Sequence, residues 1–191
     1  MKKNKGFSLV ELIIVIAIMA ILAAAIAPAL IRYIDKSRRS DDVQTCNTVG
    51  KAVALAIATG EEYVYGGKKQ DMISWWVDNS VTGTTAYNVQ DEDGNPYQFN
   101  AVCYWNGDAT NDLFESTGAP ELDVFVDLIN ITAGTPTPKM VKYTKGPNGS
   151  VLDSIIVGRN MSDDEIEVWI GSGSSITPVY RLYPSPCKEY R

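Results

Sequence analysis

The 191 residues suffice for one compact domain plus an appendage. The formal charge of −6, from 17 basic and 23 acidic residues, gives no general attraction to nucleic acid. Histidine is absent, which excludes Ser-His-Asp and Cys-His catalytic arrangements and any His-based metal site.

One long apolar run dominates the N-terminal part of the chain. The 20 residues from Leu12 to Ile31, interrupted only by Pro28, would form a helix about 30 Å long, which matches the hydrocarbon thickness of a bilayer. Basic residues flank the run on both sides, at 2, 3 and 5 and at 32, 36, 38 and 39, so the positive-inside rule does not orient it. The segment has three interpretations: a cleaved secretory signal, a plain transmembrane anchor, or a short leader followed by an assembly helix.

Glu11 lies directly before the apolar run. A carboxylate at the centre of a spanning helix costs roughly 2.5–3.5 kcal/mol on insertion scales, and less near the interface, so a plain anchor gains nothing from it. One interpretation places Glu11 at headgroup depth near a helix start, where the helix dipole favours an anion. The other gives it a function, as is usual for ionisable residues within membrane segments.

The opening residues "MKKNKG" and "FSLVELIIVIAIMAILAAAIAPAL" resemble, position by position, the class III leader and mature start of type IV pilins. The resemblance implies that a prepilin peptidase cuts between Gly6 and Phe7 and methylates the new amino terminus of Phe7. It also implies that Glu11 pairs with the Phe7 amine of a neighbouring subunit and sets axial register, and that Pro28 bends the helix. Ala20 stands where many relatives have a mid-span glycine.

The implied pairing has a physical basis in the membrane. Cleavage would create a cationic amine at Phe7, and in a low dielectric an amine and a carboxylate without partners each carry a desolvation penalty that mutual contact relieves. Contact within one chain is the alternative, because Phe7 and Glu11 are four residues apart and could meet on one helix face. The sequence does not separate the two.

Beyond the apolar run an amphipathic pattern continues. It predicts one helix from about Phe7 to Thr59, ended by Gly60, whose first half is available to lipid or neighbouring subunits and whose second half lies against a globular domain. Apolar residues at spacings of three and four form the buried face, namely Val43, Cys46, Val49, Val53 and Ile57; Asp41, Asp42, Gln44, Thr48 and Lys51 take the other faces.

The order of the remaining elements predicts an α+β fold: a long N-terminal helix laid across one face of a mainly antiparallel sheet of four or five strands. This architecture resembles that of pilins. Residues 60–85 read as a connection with a short helix around Gln70 to Asn79 that supplies Met72, Trp75 and Trp76 to the core. Alternating patterns predict strands within 95–105, 121–128, 151–158, 165–171 and 177–184, with a final hairpin after "SGSS". The domain prediction is a leader at 1–6, a hydrophobic assembly helix at 7–34, its amphipathic continuation at 35–60 and a head at 61–191.

Two acidic clusters and three cysteines complete the candidate chemistry. Residues 91–95, "DEDGN", lack the spacing and closing glutamate of an EF-hand, so we expect a solvated turn and no metal there. Residues Asp163, Asp164, Glu165 and Glu167 form the second cluster. Some relatives close a C-terminal loop with a disulfide, and by that resemblance Cys103 and Cys187 are the candidate pair, although relatives usually have both cysteines in the last third; Cys46 is the alternative partner.

The resemblance implies a structural subunit of a type IV pilus, without catalytic activity or cofactor, that serves adhesion, motility or surface attachment. The resemblance implies five partners: copies of itself, the prepilin peptidase, an inner-membrane assembly platform, its ATPase, and membrane lipid before assembly. It implies residence in the plasma membrane as a single-pass protein and then in an extracellular pilus. The alternatives are a pseudopilin or minor pilin of a secretion or DNA-uptake system and, from another class, a membrane-anchored ligand-binding module.

Overall fold

The computed structural model of this chain describes residues 7–59, 63–65, 68–70, 85–105, 141–172 and 177–190. It divides into two compact units, Met1–Arg38 and Arg39–Arg191. The predicted strand at 121–128 and the core residues Met72, Trp75 and Trp76 lie outside the described residues. Of the predicted short helix, only Gln70 is described, and it ends a strand instead.

Helix α1 spans Leu9–Thr59, in agreement with the predicted Phe7 to Thr59. Its first half is rich in alanine, leucine and isoleucine, whose apolar side chains suit lipid, and the helix satisfies its own backbone hydrogen bonds. α1 is long and apolar enough to cross a bilayer, and its most apolar window is not buried within the chain. Pro28 lies inside α1, and the bend predicted there stays a prediction.

Seven strands are described, in two antiparallel sheets. A small hairpin pairs β1 (Tyr63–Tyr65) with β2 (Lys68–Gln70), in the region predicted to be a connection. The main sheet has the order β3-β4-β5-β6-β7, in which sequential strands are neighbours. Its strands are β3 (Thr85–Gln90), β4 (Pro96–Trp105), β5 (Leu152–Asn160), β6 (Ile166–Ser172) and β7 (Thr177–Tyr183).

The α+β prediction is confirmed. The predicted strands around 95–105, 151–158, 165–171 and 177–184 correspond to β4 to β7, and the final hairpin is β6 paired with β7. Strand β3 is an addition. Tyr87 and Val89 alternate with polar residues before the turn at Asp91, so its period-2 signal is present in the sequence.

The second half of α1 packs on one face of the main sheet. The predicted apolar face is confirmed, since Cys46, Val49 and Val53 are buried in this core. Gly50 allows the close approach, because a Cβ there would overlap the Tyr183 ring. The sheet contributes buried aliphatic side chains from β5, β6 and β7, chiefly Leu152, Ile155, Val157, Val168, Ile170 and Leu182.

The opposite sheet face carries a smaller core centred on Phe99, Ile156 and Trp169. The ring centroids of Phe99 and Trp169 are 5.6 Å apart. Gly158 on β5 lies directly beneath the Asn100 carbonyl of β4. A side chain at that position would collide with backbone, so glycine is required for the two strands to pair there. The 3₁₀ turn Lys188–Tyr190 follows β7 and places Tyr190 in the helix-facing core.

Candidate functional site

The N-terminal end of α1 holds the residues predicted for processing and assembly. Ser8 precedes the first helical residue and Glu11 lies in the first turn. The backbone N–H of Ser8 donates to Glu11 Oε2 at 2.9 Å, and the N–H of Leu12 donates to the Ser8 carbonyl at 3.2 Å. A serine followed three residues later by a glutamate that reaches back to its N–H is half of a capping box.

This contact gives Glu11 a partner within its own chain. The carboxylate satisfies a backbone donor at the helix start and lies where the helix dipole favours an anion. The group it contacts is one residue beyond Phe7, whose side chain is 79% exposed. Phe7 and Glu11 therefore lie within one turn of each other, whereas Pro28 lies about 26 Å farther along the axis at 1.5 Å per residue. Gly6 lies outside the described residues.

In the head, a buried carboxylate on α1 holds two separate segments. Asp42 is 4% exposed. Its Oδ1 accepts from the Lys142 N–H at 2.6 Å, and its Oδ2 accepts from the Tyr143 N–H at 2.9 Å and the Tyr190 hydroxyl at 2.6 Å. Burial raises the pKa of Asp42 above its ordinary value, and the Tyr190 and backbone donors oppose that rise. These contacts tie the C-terminal turn to the helix.

The placement of Asp42 corrects the sequence analysis, which assigned it to the polar faces of the helix. Asp42 is four residues before Cys46 and so lies on the same stripe as Cys46 and Val49. The sequence signal for its burial was the helical spacing, which places this acid on the apolar stripe. Its partner donors come from about 100 and 148 residues away in sequence, and helical periodicity contains no information on them.

Arg39 reinforces the same junction. Its Nη2 donates to the Tyr143 hydroxyl at 2.7 Å, and its guanidinium carbon lies 4.2 Å from the centroid of the Tyr143 ring. Its Nη1 donates to the Glu189 carbonyl at 3.4 Å. A guanidinium over an aromatic ring gains a cation–π attraction in addition to its hydrogen bonds. One turn of α1 thus contacts both the segment around Tyr143 and the C-terminal turn.

A second buried carboxylate lies within the main sheet. Glu167 is 1% exposed, although the sequence grouped it with the acidic cluster at 163–165. Trp169 Nε1 donates to it at 2.8 Å, Arg181 Nη1 at 3.2 Å, and the Tyr97 hydroxyl lies 3.0 Å from both carboxylate oxygens. Burial raises the pKa of Glu167, and its three partners lower it. The network joins β4, β6 and β7 across the face opposite α1.

The turn at residues 91–95 lies on the surface, with Asp93, Gly94 and Asn95 exposed, as expected for a solvated turn. Asp91 Oδ1 accepts from the backbone N–H groups of Asp93 and Asn95, and Gly94 has a φ of 85°. The Asn95 side-chain amide donates to Asp91 Oδ2 at 2.9 Å, and this hydrogen bond, followed by the backbone donors, holds the pKa of Asp91 below its ordinary value. At the other turn Arg159 pairs with Asp164. Among the described residues no group of three or more potential ligands could hold a metal.

The cysteines stay unpaired in the part of the structure that describes them. Cys46 is fully buried, and burial raises the pKa of its thiol. Cys187 bears a half-buried thiol and lines a cleft of about 260 Å³ with Trp169 and Arg181. The side chain of Cys103 lies outside the described residues. Its pairing with Cys187 therefore stays a prediction.

Comparison with known proteins identifies a shared N-terminal motif. Residues 1–27 match the family model described as the prokaryotic N-terminal methylation motif. Those residues include both Phe7 and Glu11. The resemblance to type IV prepilins, inferred from the opening residues, is thereby confirmed. No solved structure matches this chain.

The similar proteins include two named as fimbrial proteins and one named as a prepilin peptidase-dependent protein. A fimbrial protein of Dichelobacter nodosus is 37% identical over 83 residues, which are 44% of this chain and 50% of the relative. Prepilin peptidase-dependent protein A of Clostridium perfringens is 34% identical over 91 residues, 47% of this chain and 57% of the relative. A fimbrial protein of Pseudomonas aeruginosa is 37% identical over 71 residues, which are 37% of this chain and 46% of the relative. The chain thus spans about half the length of the curated relatives it matches.

Proposed function

We propose that this chain is a structural subunit of a type IV pilus. A prepilin peptidase cuts it between Gly6 and Phe7 and methylates Phe7, and the mature chain polymerises through the first half of α1. The methylation motif at residues 1–27 is the observation that carries this proposal. The prepilin peptidase-dependent relative and the fimbrial relatives, none of them named as an enzyme, support it.

The exposed first half of α1 supports the polymerisation step. From Phe7 to Ile34 the large apolar side chains are exposed in the single chain, which is tolerable only in lipid or against other protein. Lipid surrounds them in the precursor, and neighbouring copies would replace lipid in the filament. The assembly platform and its ATPase complete the proposal as partners that extract the subunit from the membrane.

Glu11 gives the sharpest test, because its helix-capping and charge-pairing roles can be separated. Glu11→Gln keeps an oxygen that can accept from the Ser8 N–H but removes the charge, whereas Glu11→Ala removes both. We expect both variants to insert into the membrane and to be cut after Gly6. If pairing with the Phe7 amine of a neighbour sets register, both lose filaments.

The readouts are electron microscopy for filaments and mass spectrometry for the mature N-terminus. Normal filaments from Glu11→Gln with none from Glu11→Ala would assign Glu11 to helix capping and contradict the register role. As a processing control, Gly6→Leu should retain the leader. A wild-type protein that keeps Met1 would overturn the proposal as a whole.

Two other functions make different predictions for the same cells. A pseudopilin or minor pilin carries the same motif, and its deletion leaves long filaments in place, whereas deletion of a major subunit abolishes them. A membrane-anchored ligand-binding module needs neither the Gly-Phe junction nor Glu11. It would stay functional as an uncut monomer, so retention of its surface activity in Gly6→Leu would favour it.

A further inference from the structure

Three basic side chains directly follow the apolar run, all within the first unit. Arg32, Lys36 and Arg38 are exposed, and Tyr33 beside them is 73% exposed. Asp35 lies among them and is half-buried. With three basic residues and this one acid, residues 32–38 carry a net charge of +2. The pairing of Phe7 with Glu11 does not use any of these residues.

The topology of the proposed function makes this charge unexpected. With the head outside the cell, the three basic residues lie on the translocated side of the membrane. Lys and Arg within about 15–20 residues of a membrane span are normally in excess on the cytoplasmic side. Anionic groups on the outer side would compensate positive charge that opposes this bias.

The helix fixes the depth of the cluster. If Leu12 to Ile31 fill the hydrocarbon core, residues 32–38 occupy the next 9 Å or so of the axis at 1.5 Å per residue. The headgroup layer begins at that point and is roughly 5–8 Å thick per leaflet. Tyrosine is enriched at this depth, and long basic side chains extend towards the headgroups.

The angular spread of the charges favours lipid over a single protein partner. Arg32 and Lys36 are four residues apart and share a face of α1, whereas Arg38 lies about 120° around the axis from Arg32 at 100° per residue. One docked protein surface would meet one face. Lipids surround a monomeric helix, so headgroups can reach all three cations.

We propose that Arg32, Lys36 and Arg38, with Tyr33 at the interface, bind the phosphate-bearing headgroups of anionic lipids around the membrane-inserted precursor. The occupant is bilayer lipid rather than free phosphate, because the cluster is continuous with the span that holds the chain in the membrane. The proposal deepens the proposed function and rests on it for the side of the membrane. The lipid preference itself requires neither cleavage nor filaments.

The test uses the full chain as a monomer in phosphatidylcholine vesicles at low ionic strength. Electron spin resonance of spin-labelled phosphatidylglycerol and phosphatidylcholine gives the relative association of each lipid with the protein. We expect wild type to prefer phosphatidylglycerol. The triple variant R32Q/K36Q/R38Q should lose that preference, by up to about fivefold for each charge removed.

The control removes the same number of charges from exposed positions of the second unit, in K51Q/K142Q/K145Q, and should keep the wild-type preference. An unchanged preference in R32Q/K36Q/R38Q, or an equal loss in the control, overturns the proposal. Protease access to the head in the same vesicles and filament formation in cells report on the proposed function separately. If the head lies on the unexpected side of the membrane, or if filaments do not form, the lipid measurement is still interpretable. Both leaflets contain labelled lipid, so the basic residues meet it in either orientation.

Discussion

Replacement of Tyr190 by phenylalanine isolates the hydrogen bond between the C-terminal turn and α1. Tyr190 is 1% exposed, and its hydroxyl donates to Asp42 Oδ2 at 2.6 Å. The ring of the phenylalanine keeps the packing against Tyr143 and Tyr180, so no cavity is created. The substitution therefore removes one hydrogen bond and little else.

The magnitude follows from the charge and burial of the acceptor. A hydrogen bond to a charged group contributes about 1.5–3 kcal/mol. Asp42 keeps its two backbone donors in Tyr190→Phe, so we expect the free energy of unfolding to fall by that amount. Asp42→Ala should cost more, roughly 3–5 kcal/mol, because the N–H groups of Lys142 and Tyr143 and the Tyr190 hydroxyl would all lose their acceptor.

The assay is urea unfolding of the full chain in mild detergent, followed by tryptophan fluorescence. Trp169 is buried in the sheet, so it reports on the head. Tyr33→Phe is the matched control, because it removes a hydroxyl from a residue that is 73% exposed and should change stability by no more than about 0.5 kcal/mol. If Tyr190→Phe unfolds within the same margin, Asp42 does not hold the C-terminal turn and the reasoning fails.

Three further predictions concern the sheet and the thiols. Burial raises the pKa of Glu167 above its ordinary 4.5, so the contribution of this carboxyl to stability is fully present below that pH and is lost as pH rises through the folded-state pKa. The unfolding free energy of wild type minus that of Glu167→Gln should therefore fall from about pH 4 towards neutral. A difference that does not change with pH would contradict this prediction. Gly158→Ala should cost at least about 1–3 kcal/mol in urea unfolding, since its Cβ meets the Asn100 carbonyl, and a wild-type midpoint would refute the close approach. Alkylation of unfolded, unreduced protein followed by mass measurement should label one thiol if Cys103 and Cys187 are paired; three labelled thiols would exclude any bridge.

The N-terminal segment was predictable because its information is local. The junction at Gly6 and Phe7, the offset of Glu11 and the uninterrupted apolar run are consecutive in the chain, and the match over residues 1–27 uses the same letters. The capping contact between Ser8 and Glu11 is also local, three residues apart, and its serine–glutamate spacing was readable in advance.

The head was predictable only in outline. Period-2 alternation identified most strands of the main sheet. It missed the β1–β2 hairpin, whose strands have only three residues each, and β3, although β3 does alternate. Order and register depend on pairings such as Phe99 with Asn160, which the linear pattern does not contain.

The two buried carboxylates show what the sequence pattern determines and what only the tertiary structure decides. Helical and strand periodicity, together with the N-terminal motif, are properties of neighbouring residues, and they were sufficient for the long helix, the fold class and the match to the methylation motif. Whether Asp42 and Glu167 face water or the interior depends on donors supplied by distant segments, such as Tyr190 and Arg181. An ionisable side chain is buried only where such donors offset its desolvation, and those donors converge only once the chain has folded.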